Sequence, residues 1–188
     1  MLGNACINGI DNLIFSDNIK PNLPELIGID GEKVKASNFV VNANKEYALL
    51  ALGRINSFDA FDILFKVLNK SDDINLKAIS LTLLDSEYKQ KIIEDDIEPK
   101  KELIKYFIDY LEDSTFINYY GTKLDRISKN GIKNWIGKDF GDFQDEKLIV
   151  VDDKISFEKI TKEKKIKYWN DIEPKIKWNK KTSLFEIN

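Results

Sequence analysis

Histidine is missing from this chain, and its absence excludes more chemistry than any residue present suggests. None of the 188 residues is His, which removes Ser-His-Asp and Cys-His nucleophilic catalysis, His-assisted zinc binding and a histidine pH switch together. A lone cysteine, Cys6, rules out an intramolecular disulfide and a Cys-rich metal site, and it points to a reducing, cytoplasmic setting. Arginine is nearly absent too: Arg54 and Arg126 are the whole supply, poor equipment for bidentate recognition of phosphate or guanine. No run approaches the ~18 uninterrupted apolar residues of a membrane helix, and "MLGNACINGIDNLIF" places no basic region ahead of its apolar residues. Neither a membrane span nor a secretory leader is expected.

What is present suits a packed interior. Hydrophobic residues make up 43% of the chain, enough to bury a core in one domain, at most two small ones, without metals or disulfides. The net charge of -3 conceals an asymmetry. Residues 1–158 carry 20 Lys/Arg against 28 Asp/Glu, whereas residues 159–181 carry nine Lys against three acids. The body is acidic and the C-terminal end basic.

Helical periodicity recurs along the middle of the chain. "SFDAFDILFKVLN" carries Ala60, Ile63, Leu64, Val67 and Leu68 at the spacing of a buried helical stripe, with Ser57 as an N-cap. Ser71 or Asp72 would cap the next helix, whose positive end Asp72 and Asp73 also suit. "NKEYALLALG" and "LKAISLTLLD" match at an offset of 32 residues, aligning Lys45 with Lys77, Ala48 with Ser80 and Leu52 with Leu84. In both, a small residue four before a leucine shares its helix face and lets a neighbouring helix approach. "EPKKELIKYFIDYLED" repeats the pattern with Pro99 in the first turn and Leu103, Ile104, Phe107, Ile108 and Leu111 inward. A further helix is expected through "TFINYYGTKLDRISKN", with Phe116, Ile117, Tyr120, Leu124 and Ile127 inward, Gly121 a weak point, and Gly131 a C-terminal stop. Two short strands are expected in "KLIVVDDKISF", on either side of Asp152 and Asp153. The N-terminal region, with "NIKPNLPELIGIDGEK" at its centre, reads as irregular, and residues 1–15 leave a capping helix open.

"ALGRINSFDAFDILFKVLNKSDDINLKAISLTLL" resembles the short HEAT-type repeat of bacterial proteins, with its Ala-Leu-Gly helix end, Asp-bearing turn, Ile-Leu helix and apolar-basic opening at Leu76 and Lys77. The convincing copies run from Asn44 to Leu84, with looser ones to about Asn130. "IKNWIGKDFG" resembles the closing segment of such arrays, and "YWNDIEPKIKWNKKTSLFEI" the tail that follows it, a tryptophan-bearing helix and a hairpin with Trp178. The resemblance implies an all-α, HEAT-like α-solenoid of stacked helical hairpins with a small C-terminal helix and β-hairpin cap. Residues 1–43 would be an irregular N-terminal cap, 44–141 the repeats, and 142–188 the C-terminal cap packed with them as one domain. Stacked repeats bury faces that no single hairpin can bury, and they present a broad outer surface for recognition.

Candidate sites were weighed on that expectation. The run from Asp85 to Asp113 holds ten acids, of which Glu94, Asp95, Asp96 and Glu98 are the least neutralised locally. Clustered carboxylates speed encounter with a basic protein partner. The same run also reads as a solvated rim, interleaved with Lys89, Lys91, Lys100, Lys101 and Lys105. An inhibitor of the immunity type, which neutralises a bacterial toxin, is by analogy one small role suited to such a surface. Alternatively, Lys164, Lys165, Lys167, Trp169 and Trp178 combine cations with aromatic faces as nucleic-acid surfaces do. Ile160, Ile166, Trp169 and Ile172 equally form an inward stripe. "KDFGD", Lys138 to Asp142, carries the tripeptide that binds magnesium in kinases, but the chain has neither a His-Arg-Asp loop nor a Gly-rich phosphate loop. Adjacent acids such as Asp95 and Asp96 point apart on a helix and show no calcium-loop spacing. No catalytic residue, metal site or cofactor is therefore assigned, and a HEAT-like glycosylase would need a cleft of converging aromatic and acidic groups. A non-catalytic protein-interaction module is the expected function class.

Overall fold

In a computed structural model, residues 2–15, 26–27, 33–34, 37–55, 57–86, 96–137, 146–151 and 154–187 are described. They are mostly helical, with small two-stranded antiparallel hairpins, and the chain forms two compact units, Met1–Leu84 and Asp85–Asn188.

The first unit contains α1 (Leu2–Phe15), a two-residue pairing of β1 (Leu26–Ile27) with β2 (Lys33–Val34), α2 (Ser37–Gly53), α3 (Phe58–Lys70) and α4 (Ile74–Asp85). Ile7, Ile10 and Ile14 recur at helical spacing and bury one face of α1, which packs on α2 and α3. Residues 2–15 are thus a helix, and α2 begins seven residues before Asn44, so helix occupies ground expected to be irregular. The apolar periodicity of α1 outweighs its lack of a charged end. Asp11 holds the ammonium of Lys66 with both oxygens, at 2.7 and 2.8 Å, tying α1 to α3 across the edge of this core.

α3 follows its sequence pattern closely. The Ser57 hydroxyl accepts a hydrogen bond from the Ala60 amide at 3.2 Å, and Ala60, Ile63, Leu64, Val67 and Leu68 are buried with Phe61. At the next helix the cap lies farther along than expected: Asp73, not Ser71 or Asp72, accepts from the Asn75 amide at 2.8 Å and the Leu76 amide at 3.4 Å. The Ser71 hydroxyl instead accepts from the Asp73 amide, tightening the turn between α3 and α4. Ala48, Leu52, Ser80 and Leu84, the residues aligned by the 32-residue offset, are all buried. Gly53 lies against Leu83, where a Cβ would come within 2.4 Å of a methyl carbon, so α2 and α4 meet at close range.

The second unit contains α5 (Ile97–Asp109), β3 (Phe116–Ile117), β4 (Thr122–Lys123), α6 (Leu124–Ile136), β5 (Glu146–Val151), β6 (Lys154–Lys159), α7 (Lys162–Ile172), β7 (Ile176–Asn179) and β8 (Leu184–Ile187). The two strands expected around Asp152 and Asp153 are β5 and β6, paired from Glu146 with Lys159 to Val151 with Lys154. The tryptophan-bearing helix is α7, and β7 pairs with β8 through Trp178 and Phe185.

One expected helix is divided. Residues 116–123 form a small hairpin with a single 3₁₀ turn, and the helix begins only at Leu124. Gly121 sits in the left-handed region at φ 59, a conformation that ends regular helix and that other residues adopt at a cost. Gly131 is no stop: it lies inside α6 because a Cβ there would approach the Phe107 ring to 2.3 Å. The terminating glycine is Gly137, at φ 78. The segment Lys138–Asp142 lies outside the described residues.

Candidate functional site

The acidic surface is assembled on α5. Asp96 caps it, its carboxylate accepting the Glu98 amide at 3.2 Å, and Pro99 occupies the first turn without breaking the ladder. Leu103, Ile104, Phe107 and Ile108 face the core, leaving Glu98, Glu102, Lys105 and Asp109 exposed on the opposite side, followed by Glu112.

The lysines interleaved with these acids do not all sit beside them. Lys100 is 0% exposed, and its ammonium stands 4.1 Å from the centroid of the Trp178 ring. A cation desolvated over an indole face gains about 2 kcal/mol, which offsets part of the cost of burial. Trp178 in turn packs on Trp135, with ring centroids 5.7 Å apart, and on Phe185 at 5.2 Å. Lys105 is drawn to Glu173, just beyond the end of α7, at 2.9 Å. Lys101 stays with the run, 3.5 Å from Glu98, and Lys89 and Lys91 lie outside the described residues.

The phenols on α5 register the resulting field. Burial, reinforced by the Glu102 charge, pushes the Tyr106 hydroxyl up to about 12, and Tyr106 donates to Glu102 at 3.4 Å. Tyr110 is raised by burial and then by Asp109 and Asp113. Glu112 has a structural task as well, accepting the Lys162 amide at 3.0 Å at the start of α7. Of the acids singled out from the sequence, Asp96 and Glu98 belong to this helix, and Glu94 and Asp95 lie outside the described residues.

The C-terminal cations and aromatics are dispersed. Lys164 and Lys167 are exposed on α7, while Lys165 and Trp169 are buried there, so a base could reach Trp169 only by opening the core. Trp178 is half-buried on β7, with its ring between Lys100, Trp135 and Phe185. Beside it, Lys177, Asn179, Lys180, Lys181 and Glu186 line a shallow depression of about 480 Å³.

A basic surface that the sequence reading passed over lies on α6. Arg126, Lys129 and Lys133 follow helical spacing on the face opposite Leu124, Ser128, Gly131, Ile132 and Trp135, and Lys123 precedes them. Asp125 is the sole acid among residues 116–137, and it lies 3.7 Å from Lys129. The spacing of Arg126, Lys129 and Lys133 is the signal in the sequence, and it runs across Gly131, the expected helix stop. Around the first turn, Phe116, Gly121, Thr122, Lys123, Asp125, Arg126 and Lys129 line a depression of about 350 Å³.

Among the described residues Asp85, where α4 ends and the second unit begins, is the carboxyl moved far from its usual range. Burial raises it to about 6, while the Asn134 amide, donating at 2.7 Å, opposes the shift. Among the described residues, no group of three or more Cys, Asp or Glu side chains could hold a metal ion, and no helix is long and apolar enough to cross a membrane. No protein family profile, curated protein or solved structure matches the chain.

Proposed function

We propose that this chain is a non-catalytic interaction module that binds a basic protein through the outward face of α5. The observation that carries the proposal is the pairing of lysines away from these acids: Lys100 is buried on Trp178, and Lys105, although exposed on the same helix face, has its ammonium 2.9 Å from Glu173. The face therefore keeps the charge of Glu102 and part of that of Glu98, while the Lys162 ammonium, which donates to the Asp109 carbonyl, offsets part of that of Asp109. Its backing of Leu103, Ile104, Phe107 and Ile108 is fully packed, so the face is rigid and costs little ordering on binding. An inhibitor of the immunity type, covering the cationic surface of a toxin, is a concrete role of this kind, and the exposed lone Cys6 suits a reducing cytoplasm.

The architecture belongs to the same proposal. The helical hairpins are read as a short HEAT-type array, supported by the equivalent burial of Ala48 with Ser80 and Leu52 with Leu84. Repeat scaffolds of this type present rigid surfaces for other macromolecules.

The test is titration of the full chain with a fluorescent lysine-rich peptide at rising salt. Affinity should fall steadily as the Debye length shrinks from ~30 Å at 0.01 M to ~8 Å at 0.15 M. Replacing Glu98, Glu102 and Asp109 together by Lys should weaken binding about tenfold, taking about 0.5 kcal/mol for each exposed charge pair. Binding indifferent to both salt and these replacements would contradict the proposal.

A further inference from the structure

We propose that the outward face of α6, with the depression at its first turn, binds single-stranded nucleic acid. The four cations would follow the phosphates, and Phe116 would receive a base. This surface is distinct in position and sign from the acidic face of α5.

Three observations converge on it. First, Arg126, Lys129 and Lys133 share one side of α6 and Lys123 immediately precedes it, with Asp125 the sole acid among residues 116–137, in a chain whose net charge is -3. Asp125 is engaged by Lys129, and among the described residues no carboxylate forms an ion pair with Lys123, Arg126 or Lys133. From Arg126 to Lys133 the cations extend along about 10 Å of helix axis, with Lys123 beyond its start, room for a few nucleotides. Second, Phe116 is a large aromatic side chain left 56% exposed, and it lines the same depression as Lys123, Arg126 and Lys129. An exposed ring beside cations is the pairing that single-strand surfaces use, a charged track for the backbone and a flat platform for the bases. Third, the platform is fixed: the Leu124 amide donates to the Thr115 carbonyl at 2.9 Å and the Asp125 amide to the Asp113 carbonyl at 2.8 Å. These bonds hold the hairpin that carries Phe116 against the start of α6.

The ring decides between ligand classes. An acidic peptide would use the cations and leave Phe116 idle, whereas a duplex would keep its bases stacked out of reach. An unpaired base offers a π-face to the ring while its phosphate meets Arg126.

The experiment is fluorescence anisotropy of the full chain with a labelled oligothymidylate of about twelve nucleotides, inside the roughly 4–16 that one such surface covers. Binding should saturate below ~100 µM, and log K should fall with log salt at a slope of about -3 for four phosphate contacts. Lys123→Ala with Arg126→Ala should reduce that slope by about 1.4 in magnitude. Phe116→Ala should weaken binding about 5- to 150-fold and leave the slope unchanged, whereas Phe116→Trp should restore it. Lys180→Ala with Lys181→Ala, on the β7–β8 hairpin, should change little. The altered side chains are exposed, and unchanged thermal melts would confirm that the variants fold. The proposal is overturned by no binding at 100 µM in low salt, by a loss confined to the Lys180 and Lys181 variant, or by duplex or polyglutamate binding as tightly with the same dependence on Phe116.

Discussion

Two glycines in helices should respond to the same substitution with opposite signs. Replacing an interior helical glycine by alanine gains about 1 kcal/mol from backbone entropy wherever the new methyl has room. At Gly9, in α1, nothing lies within 4 Å of the added Cβ, so Gly9→Ala should stabilise the chain by ~0.5–1 kcal/mol. At Gly131 the added Cβ would lie 2.3, 2.4 and 2.6 Å from three carbons of the Phe107 ring, which is 0% exposed. Carbon atoms pack at roughly 3.5–4.0 Å, so the ring must shift by more than 1 Å within a closed core. Overpacking costs ~1–3 kcal/mol, and contacts as short as 2.3 Å put this site at ~2–3 kcal/mol, so that after the propensity gain of about 1 kcal/mol a net loss of ~1–2 kcal/mol is expected. Urea unfolding followed by tryptophan fluorescence reports the right unit, because Trp135, Trp169 and Trp178 all lie beyond Asp85. With a slope of ~2 kcal/mol per molar urea, the midpoint should fall by ~0.5–1 M. Phe107→Leu should relieve much of the penalty, giving a coupling of ~1 kcal/mol in the double-mutant cycle. A midpoint unchanged or raised by Gly131→Ala would refute the close approach of α5 and α6.

Asp85 binds its proton more tightly in the folded chain, with its carboxyl raised from 3.8 to about 6, so it favours the fold below pH ~4 and progressively loses that contribution as pH rises through 6. Asp85→Asn should therefore raise stability at pH 7–8 by an amount on the order of 1–3 kcal/mol and flatten the pH dependence between 4 and 6; unchanged stability curves would reject the buried carboxyl. At Lys100, alanine should destabilise by ~2–3 kcal/mol through lost packing, and methionine, which retains the stem, should recover most of it. Equal losses for the two, measured by thermal melts, would place the contribution in the charge instead. Ser57→Ala should cost about 1 kcal/mol by removing the cap of α3, read as a lower urea midpoint by circular dichroism.

The apolar stripes of α3 and α5 were legible because each position is decided by local spacing, and the structure buries Ala60, Leu64, Val67, Leu103 and Phe107 as that spacing requires. Cap positions were legible to within one or two residues, since Ser71, Asp72 and Asp73 are all competent and only the three-dimensional turn selects Asp73. Gly131 could not be read correctly from the chain alone: a glycine near a helix end looks like a stop, and only the ring of Phe107, 24 residues earlier, shows why a side chain is forbidden there. For the candidate sites, sequence located the acids but not the fate of their neutralising lysines. Lysine is among the residues least often buried, so nothing local marks Lys100 for the interior until Trp178 arrives from the far end of the chain. Trp169 shows the reverse, an aromatic that suited stacking by composition and was taken by the core.

The sign of the two helix faces can be measured residue by residue with nitroxide cosolutes of opposite charge, comparing the line broadening each causes at backbone amides. The cationic probe should broaden Glu98, Glu102 and Asp109 more than the anionic one, and Arg126 and Lys133 should show the reverse, both contrasts shrinking in salt. Equal broadening of the α5 amides by the two probes would mean that the outward face carries no net negative field, and the proposed capture of a basic protein would have no physical basis.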